Sequence, residues 1–475
     1  MALIFRKVWS SMVVGRSNAH DSMEPQLQSL SPLHQLPLDV ILLVFKFLGP
    51  KEAARACLVC RMWRAMITDN QLWMFFLQNC RESWETILFQ ETILRSGYSL
   101  GSSPSSFHEL PLMQIYGQRA EPSGAIIIDC GSGYCKYGWS KYPCPSARAA
   151  TFMEFGNMES PTYSALRHFF STIYASLSGR CHTQDMNRMQ VKPLVRPIVV
   201  STPICHCDDT DSANAARRQM LQTMYSVLFD MNVPAVCAID QAVLALYAAR
   251  CTSGVVINIG FQNTSIVPIL HGRVMREIGI EVIGQGALRL TSFLAEQIRQ
   301  RGIACGSMYT VRTLKENLCY VALDYEAELC KDTSASLEVP GEGLFMLSKE
   351  RFQTGELLFR PRNGGMRAMG LHQAVALCME HCVAYDKGAS DDGWYKTIVL
   401  AGGTSCLPGL PERLEKELFE LLPPSIAEGL KVLPPPYGAE SAWFGAKIVS
   451  NVSTFREAWC INKKQFRQQF HNRFL

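Results

Sequence analysis

The sequence is poor in charge and has no long apolar run. Asp, Glu, Lys and Arg make up 19% of its 475 residues, and the formal net charge is only +4. So small a net charge gives no reason by itself to expect a nucleic-acid or membrane partner. No apolar stretch reaches the roughly 20 residues that a bilayer-spanning helix needs. We therefore expect a soluble protein of about two to four domains, with no membrane partner.

A cleavable export signal is also lacking, although cysteine is not. The 18 cysteines are scattered among aliphatic residues, as buried free thiols are, and this favours a reducing compartment. The N-terminus carries Arg6, Lys7 and Arg16, and no acidic residue precedes Asp21. This pattern fits either an organelle transit peptide or a flexible arm. We expect a flexible arm over residues 1–30.

A helical pattern fills residues 31–80. Pro37 suits the first turn of a helix, which the pair Gly49-Pro50 then ends. A second helix is predicted over 53–66, and a third short element carries Trp73. Three short helices make a very small core, so we expect a partner to complete it.

These helices resemble the F-box, a module that docks onto the Skp1-type adaptor of cullin ubiquitin ligases. The Leu36-Pro37 start, the run over 58–63 and the closing Leu72-Trp73 fall in the order of that module. The resemblance implies three partners: the adaptor, the cullin ligase and an unknown protein client. The alternative is a helical hairpin packed on the next domain. The implied adaptor contacts, or the core directly beneath them, are Leu36, Pro37, Ile41, Leu42, Phe45, Leu58, Val59, Cys60 and Trp63.

Residues 81–123 form a connector in this interpretation. A short amphipathic helix is predicted near Trp84, followed by a loop rich in Ser, Gly and Pro over 97–107. The sequence does not indicate what the connector does.

An apolar strand that breaks on a Gly-rich turn opens the larger part of the chain. The run from Ile126 to Asp129 is followed by Gly131-Ser132-Gly133 and a second strand through Lys136, which is a hairpin pattern. The glycines let the backbone approach a ligand, and successive N–H groups can form an anion-binding concavity. Asp129 could hold a metal-bound water, and Lys136 could reach a phosphate. Taken alone, the string also fits a plain buried hairpin.

The string resembles the first phosphate loop of the actin family, and further motifs follow in that family's order. They are an apolar helix that begins at Gln241, a second β-turn-β hairpin over 254–268 around Gly260, and a helix that carries Lys315 and Glu316. The resemblance implies an α/β fold: an actin-like body of two lobes over 124–465, with a nucleotide cleft between them. The tail over 466–475 is basic, and we expect it to be solvated rather than a nucleic-acid site. The implied cofactor is ATP or ADP with Mg²⁺, bound weakly or structurally. The implied nucleotide-binding residues are Asp129, Gly131, Ser132, Gly133, Lys136, Gln241, Gly260, Lys315, Glu316, Gly402, Gly403 and Thr404.

Several positions depart from the family's pattern. Asn258 replaces the aspartate that holds the metal's water shell, and Phe261 and Gln262 replace an Asp-Gly pair at the phosphates and sugar. Ser265 replaces the histidine near the hydrolytic water, and Ala439 falls where a lysine usually stacks on adenine. Phosphoryl transfer depends on positioning and electrostatics, so we do not expect an active ATPase and assign no catalytic residue.

The segment over 151–203 contains one predicted helix, over 163–177, and is too short for the family's small outer subdomain and its filament-contact loop. We therefore expect a reduced outer subdomain and no filament. Two cysteine-containing segments are candidate metal sites: the pair Cys57 and Cys60, and the cluster over 205–209. The first has no second pair nearby and the second has the wrong spacing for a tetrahedral site, so we expect no metal site.

The combination of an F-box-like region with an actin-like body whose nucleotide site is altered predicts a substrate-recruiting subunit of a Skp1-cullin-F-box ubiquitin ligase. Its ATP-binding body would be degenerate. The alternatives are a slow ATPase and a nuclear actin-related scaffold that does not use its F-box. The resemblance places the protein in the nucleus, the cytoplasm or both, with the nucleus favoured.

Overall fold

The computed structural model describes residues 36–98, 100, 110–120, 124–151, 163–180, 195–203, 210–385 and 393–471. The chain divides into two compact units, of which the first ends at Phe76 and the second begins at Leu77. The predicted arm over 1–30 and the cluster over 205–209 lie outside the described residues.

The first unit is helical. Its described helices, the last of which continues into the second unit, are α1 (Leu38–Leu48), α2 (Pro50–Ala56), α3 (Arg61–Thr68) and α4 (Asn70–Gln78). The single helix predicted over 53–66 was wrong, because Cys60 starts a new helix by accepting the N–H of Trp63 at 3.4 Å. Phe45 is fully buried and meets the Trp63 ring edge-on at 5.2 Å, which forms the small core that the sequence predicts.

The second unit alternates strands and helices. Its described α-helices are α5 (Trp84–Thr92), α6 (Leu112–Ala120), α7 (Tyr163–Arg180), α8 (Asp211–Asp230), α9 (Gln241–Ala248), α10 (Ala287–Gln300), α11 (Met308–Leu318), α12 (Tyr325–Leu329), α13 (Glu350–Glu356), α14 (Leu371–Tyr385), α15 (Leu410–Leu421), α16 (Pro424–Ala427), α17 (Ser441–Ser450) and α18 (Lys463–His471). Its strands are β1 (Ile126–Cys130), β2 (Tyr134–Trp139), β3 (Ala147–Ala150), β4 (Ile198–Thr202), β5 (Ala235–Asp240), β6 (Gly254–Ile259), β7 (Thr264–Leu270), β8 (Arg273–Val274), β9 (Ile280–Val282), β10 (Ala335–Val339), β11 (Gly343–Leu347), β12 (Thr397–Ala401), β13 (Lys431–Leu433) and β14 (Ile461–Asn462).

Two six-stranded sheets repeat one arrangement. The first has the order β14-β5-β4-β1-β2-β3, and the second runs β13-β12-β6-β7-β8 with β9 paired to β7. In each sheet an antiparallel hairpin lies beside two parallel strands: β1 and β2 beside β4 and β5, and β6 and β7 beside β12 and β13. The predicted two-lobed α/β body, with one phosphate-type hairpin in each half, is confirmed.

Helices α9 and α17 pack against each other within a core that both sheets share. They approach closely at Gly445, where a Cβ atom would lie only 1.8 Å from the carbonyl oxygen of Leu244. Since α9 begins at Gln241 directly after β5, this packing fixes the predicted glutamine at the end of a central strand.

The connector helix predicted near Trp84 is α5, and it packs on the C-terminal part of the body. The side-chain amide of Gln90 donates to the carbonyl of Ile448 at 2.9 Å, and the indole of Trp459 donates to the carbonyl of Leu94 at 2.9 Å. The connector is therefore part of the second unit rather than a free linker.

Two further expectations concern the outer subdomain and the tail. The predicted helix over 163–177 is α7, the helix described between β3 and β4. The tail predicted from 466 begins inside α18, whose Phe466 ring packs against Tyr225 at 5.6 Å and Phe229 at 5.4 Å. Phe466, at the start of the tail, is therefore packed rather than freely solvated.

The cysteines that the structure describes are free thiols. Burial raises the pKa of Cys237 and of Cys319 to about 12, so both stay protonated and unreactive near neutral pH. Within the described ranges, no helix is both long and apolar enough to cross a bilayer.

Candidate functional site

One cavity of about 720 Å³ lies between the two hairpins of the body. All of the predicted nucleotide-binding residues line it: those of the first turn, the start of α9, the second turn at Gly260, the Lys315-Glu316 pair of α11 and the run over 402–404. This volume lies in the range of small-molecule and cofactor sites. Residues remote in the sequence thus face one space.

Asp129 is buried at the end of β1 and is already paired. Its Oδ1 accepts the hydroxyl of Ser201 at 2.8 Å and the side-chain amide of Gln241 at 2.7 Å. The ammonium group of Lys136 lies 3.8 Å from Oδ2, and Asn258 donates its amide to Gln241 Oε1 at 3.5 Å. This network orients the Gln241 amide towards Asp129 and holds its oxygen against Asn258.

The cavity residues do not fit Mg²⁺. The carboxylate of Asp129 already accepts hydrogen bonds from protein donors, and Asn258 offers a neutral amide that donates to Gln241. A dication prefers several oxygen ligands, carboxylates above all. Among the residues that the structure describes, no three His, Cys, Asp or Glu side chains come together as a metal site.

The Lys315-Glu316 pair lines the cavity, but each side chain has a partner in the protein. The ammonium group of Lys315 donates to the carbonyl of Ala287 at 3.2 Å and to the hydroxyl of Thr291 at 3.0 Å, and burial lowers its pKa. Glu316 accepts Arg312 at 2.7 Å. Lys315 therefore supports the start of α10, and Glu316 is the more accessible of the two.

Tyr134 lies between two arginines, an arrangement that the sequence did not reveal. The guanidinium of Arg148, on β3, lies 4.1 Å from the ring centroid, and that of Arg312, on α11, lies 4.4 Å from it. Burial, with a contribution from Arg312, lowers the pKa of Arg148. These cation–π contacts join the two lobes across the cavity. The remote positions of the arginines in the chain give no signal of this contact.

The turn after β12 presents a polar group that lacks a partner. Gly402 has φ of 88°, and a Cβ atom there would lie 2.3 Å from the carbonyl oxygen of Ile259, so only glycine fits. The hydroxyl of Thr404, which lines the cavity, is buried without a hydrogen-bond partner in the structure. A buried hydroxyl costs free energy unless it is paired. A ligand that carries hydroxyl or carbonyl groups would pair it.

The predicted adaptor contacts of the F-box-like region divide into core and surface. Ile41 and Phe45 are buried, whereas Leu58 is 81% and Val59 is 62% exposed in the turn before α3. Leu36 and Pro37 are exposed as well, and Leu42, Cys60 and Trp63 are half-buried.

Exposed apolar side chains on α1 were not predicted from the sequence. Phe47 is 79% exposed, and Leu38 and Leu43 are more than half exposed. The signal was present, because α1 is apolar around most of its circumference, and such a helix is normally buried on both faces. We refer to these exposed side chains of α1 and of the turn before α3 together as the apolar F-box face: Leu38, Leu43, Phe47, Leu58 and Val59.

Comparison with known proteins gives matches over nearly all of the chain. The actin family model matches residues 182–311 and 304–471, and the F-box-like model matches residues 33–79. "Actin-related protein 8" from the indica subspecies of Oryza sativa is 58% identical over 486 aligned positions, which cover 99% of this chain and 98% of that protein. "Actin-related protein 8" from Arabidopsis thaliana is 56% identical, over 98% of this chain and 99% of that protein.

Fold, motif order and these matches agree: the chain belongs to the actin family, as an actin-related protein with an F-box-like region ahead of its actin-like body.

Proposed function

We propose that this protein is a non-catalytic, substrate-recruiting subunit of a Skp1-cullin-F-box ubiquitin ligase. The observation that carries the proposal is the apolar F-box face, where large side chains are more than half exposed on an otherwise ordered helix and turn. Exposed apolar patches of this kind mark interaction surfaces. The actin-like body would then recruit the client.

The energy available from this face is sufficient for docking. Burying one large aliphatic or aromatic side chain is worth about 1.5–3 kcal/mol. Phe47 and Leu58 are the most exposed of the set, so they gain the most from a partner. An acidic substitution there would place an unpaired charge inside the interface, at a cost that docking could not recover.

A pull-down with purified Skp1-type adaptor tests the proposal. The intact chain is compared with a Leu58→Asp, Val59→Asp double variant, which we expect to lose binding while circular dichroism stays unchanged, since both side chains are exposed. Leu344→Asp is the matched control, because Leu344 is 73% exposed on the body, outside the F-box-like region. Failure of the intact chain to bind at micromolar concentration would contradict the proposal. The alternative function, a nuclear scaffold that does not use its F-box, would then be favoured.

We also propose that the cleft binds a nucleotide structurally and does not hydrolyse it. Support comes from the cavity lined by the predicted residues, the unpaired Thr404 hydroxyl, and a Gln241 amide engaged by Asp129 and Asn258. In a phosphate-release assay we expect the wild type to match a blank without protein. Release above background that Gln241→Ala abolishes would instead support the slow ATPase.

A further inference from the structure

The side chain of Phe261 covers the turn of the first hairpin. A Cβ atom added to Gly133 would lie 2.7 Å from Cγ of Phe261, 2.8 Å from Cδ2 and 3.0 Å from Cβ. The base of the ring therefore lies directly on the backbone of Gly133. This places an aromatic side chain between the two glycine turns that face the cavity.

The backbone around Phe261 holds this position. The carbonyl of Phe261 accepts the N–H of Leu288 at 2.8 Å, and the carbonyl of Gly260 accepts the N–H of Ala287 at 2.9 Å, so the turn is tied to the start of α10. A Cβ atom at Gly286 would lie 2.6 Å from the oxygen of Phe261, so the contact needs glycine there. The ring is consequently directed by a fixed turn rather than by a free loop.

An aromatic ring at this position changes which ligands the cavity can bind. Backbone N–H groups in glycine turns bind anions, because they point positive dipoles into a concave space. A ring over the turn offers no donor, and it would strip water from a phosphate chain without replacing the lost hydrogen bonds. The buried Thr404 hydroxyl lines the same cavity and still suits a sugar hydroxyl.

We propose that Phe261 is a specificity-determining residue that closes the path of a phosphate chain between the two turns. The cleft then takes a nucleoside or nucleoside monophosphate in preference to a nucleoside triphosphate. This inference rests on the proposed nucleotide-binding role of the cleft and names the ligand class of that site.

Isothermal titration calorimetry of the full chain with adenosine, AMP and ATP tests the inference. We expect wild type to bind adenosine and AMP at least about tenfold more tightly than ATP. Phe261→Gly removes the ring, and we expect it to raise ATP affinity at least about tenfold while adenosine affinity changes by less than about twofold. Phe261→Leu keeps most of the bulk and should behave as wild type.

Phe261→Ala is the control for added backbone freedom, because it removes the ring without the conformational freedom of glycine, and it should gain ATP affinity as Phe261→Gly does. Equal affinity of wild type for ATP and adenosine, or no gain of ATP affinity in Phe261→Gly, overturns the inference. If adenosine binds to the wild type but Phe261→Gly shows no increase in ATP affinity, only the proposed role of Phe261 is wrong. If neither protein binds any of the three compounds, the nucleotide role fails with it, whereas adaptor docking is decided separately by the pull-down.

Discussion

Asn258 shows at the scale of one residue how the cleft differs from a metal-dependent site. Its amide donates to Gln241, and Gln241 in turn donates to Asp129. An aspartate in this place cannot donate and would add a second negative charge near a buried carboxylate. The neutral amide of Asn258 therefore avoids a second carboxylate near Asp129. It removes the charge repulsion that a bound metal would otherwise have to offset.

We predict that Asn258→Asp destabilises the protein by about 1–3 kcal/mol, because it leaves Gln241 Oε1 without its donor and opposes two carboxylates. Urea denaturation with and without millimolar MgCl₂ measures the change, and we expect Mg²⁺ to restore part of the loss. Asn317→Asp is the control, since Asn317 is exposed on α11 and bonds only within that helix. A variant as stable as wild type without Mg²⁺ would contradict the role given to this amide.

At the scale of elements, α5 and α6 are bound to the C-terminal segment by a buried ionic network. Arg119 pairs with Glu82 and, at 3.1 Å, with Glu91, whose side chain is only 2% exposed. Glu91 also accepts the N–H of Ser453 at 3.0 Å and its hydroxyl at 2.6 Å. This network explains why the connector, whose role the sequence left open, belongs to the body.

Arg119→Met should therefore lower the free energy of unfolding by about 3–5 kcal/mol, because two carboxylates lose their shared cation while one stays buried. Urea denaturation provides the measurement. For comparison, Arg250→Met breaks an exposed pair with Glu85 at 3.9 Å, which we expect to cost less than about 1 kcal/mol. Equal effects of the two substitutions would show that the network adds nothing to the packing of α5 and α6.

A second buried pair links α13 to α15 and gives a pH-dependent prediction. Arg413 contacts Glu356 at 3.2 Å, and both side chains are nearly inaccessible. Burial raises the pKa of Glu356, an effect that Arg413 opposes. Because the folded-state pKa lies above the unfolded value, the ionised carboxylate disfavours the folded state, increasingly as pH rises through the folded-state pKa.

We predict that Arg413→Met removes one of the two arginines that pair with Glu356, while Arg360 stays 3.2 Å away, and destabilises the fold by about 1–3 kcal/mol near neutral pH. The loss should be larger at about pH 8 than at about pH 5, because protonation of Glu356 relieves a buried charge that the half-exposed Arg360 then pairs alone. Chemical denaturation across this range tests the sign. Lys416→Met, which breaks an exposed pair on the same helix, should show no such slope. A loss that does not change with pH would contradict the assignment to Glu356.

At the scale of the whole molecule, the two lobes repeat one sheet arrangement, and the segment between β3 and β4 spans only residues 151–197. We propose that the protein does not form actin-type filaments, since this segment is too short for the outer subdomain that makes such contacts. High-speed sedimentation with MgATP at filament-promoting salt should leave the protein in the supernatant. A salt-dependent polymer in the pellet would contradict this.

Sequence reasoning was most successful where structure is local. Both glycine-turn hairpins were predicted, because strand patterns and glycine turns depend on neighbouring residues. The start of α9 at Gln241 and the helix of Lys315 were implied by the family resemblance. It failed at 53–66, where a cysteine cap at Cys60 was not recognised as a helix start. Neither the identity of Phe261 nor its position in a turn indicated that its ring would lie on Gly133.

The sequence by itself determined the family, the order of its motifs and twelve of the residues that line the cleft, because these follow from motifs and short-range patterns. Only the tertiary structure decided how those side chains are used. It pinned Lys315 to the start of α10, placed Tyr134 between two arginines and pointed Gln241 at Asp129. The physical reason is that hydrogen-bond partners and ring contacts depend on distances between segments remote in the chain, which packing of the two lobes fixes.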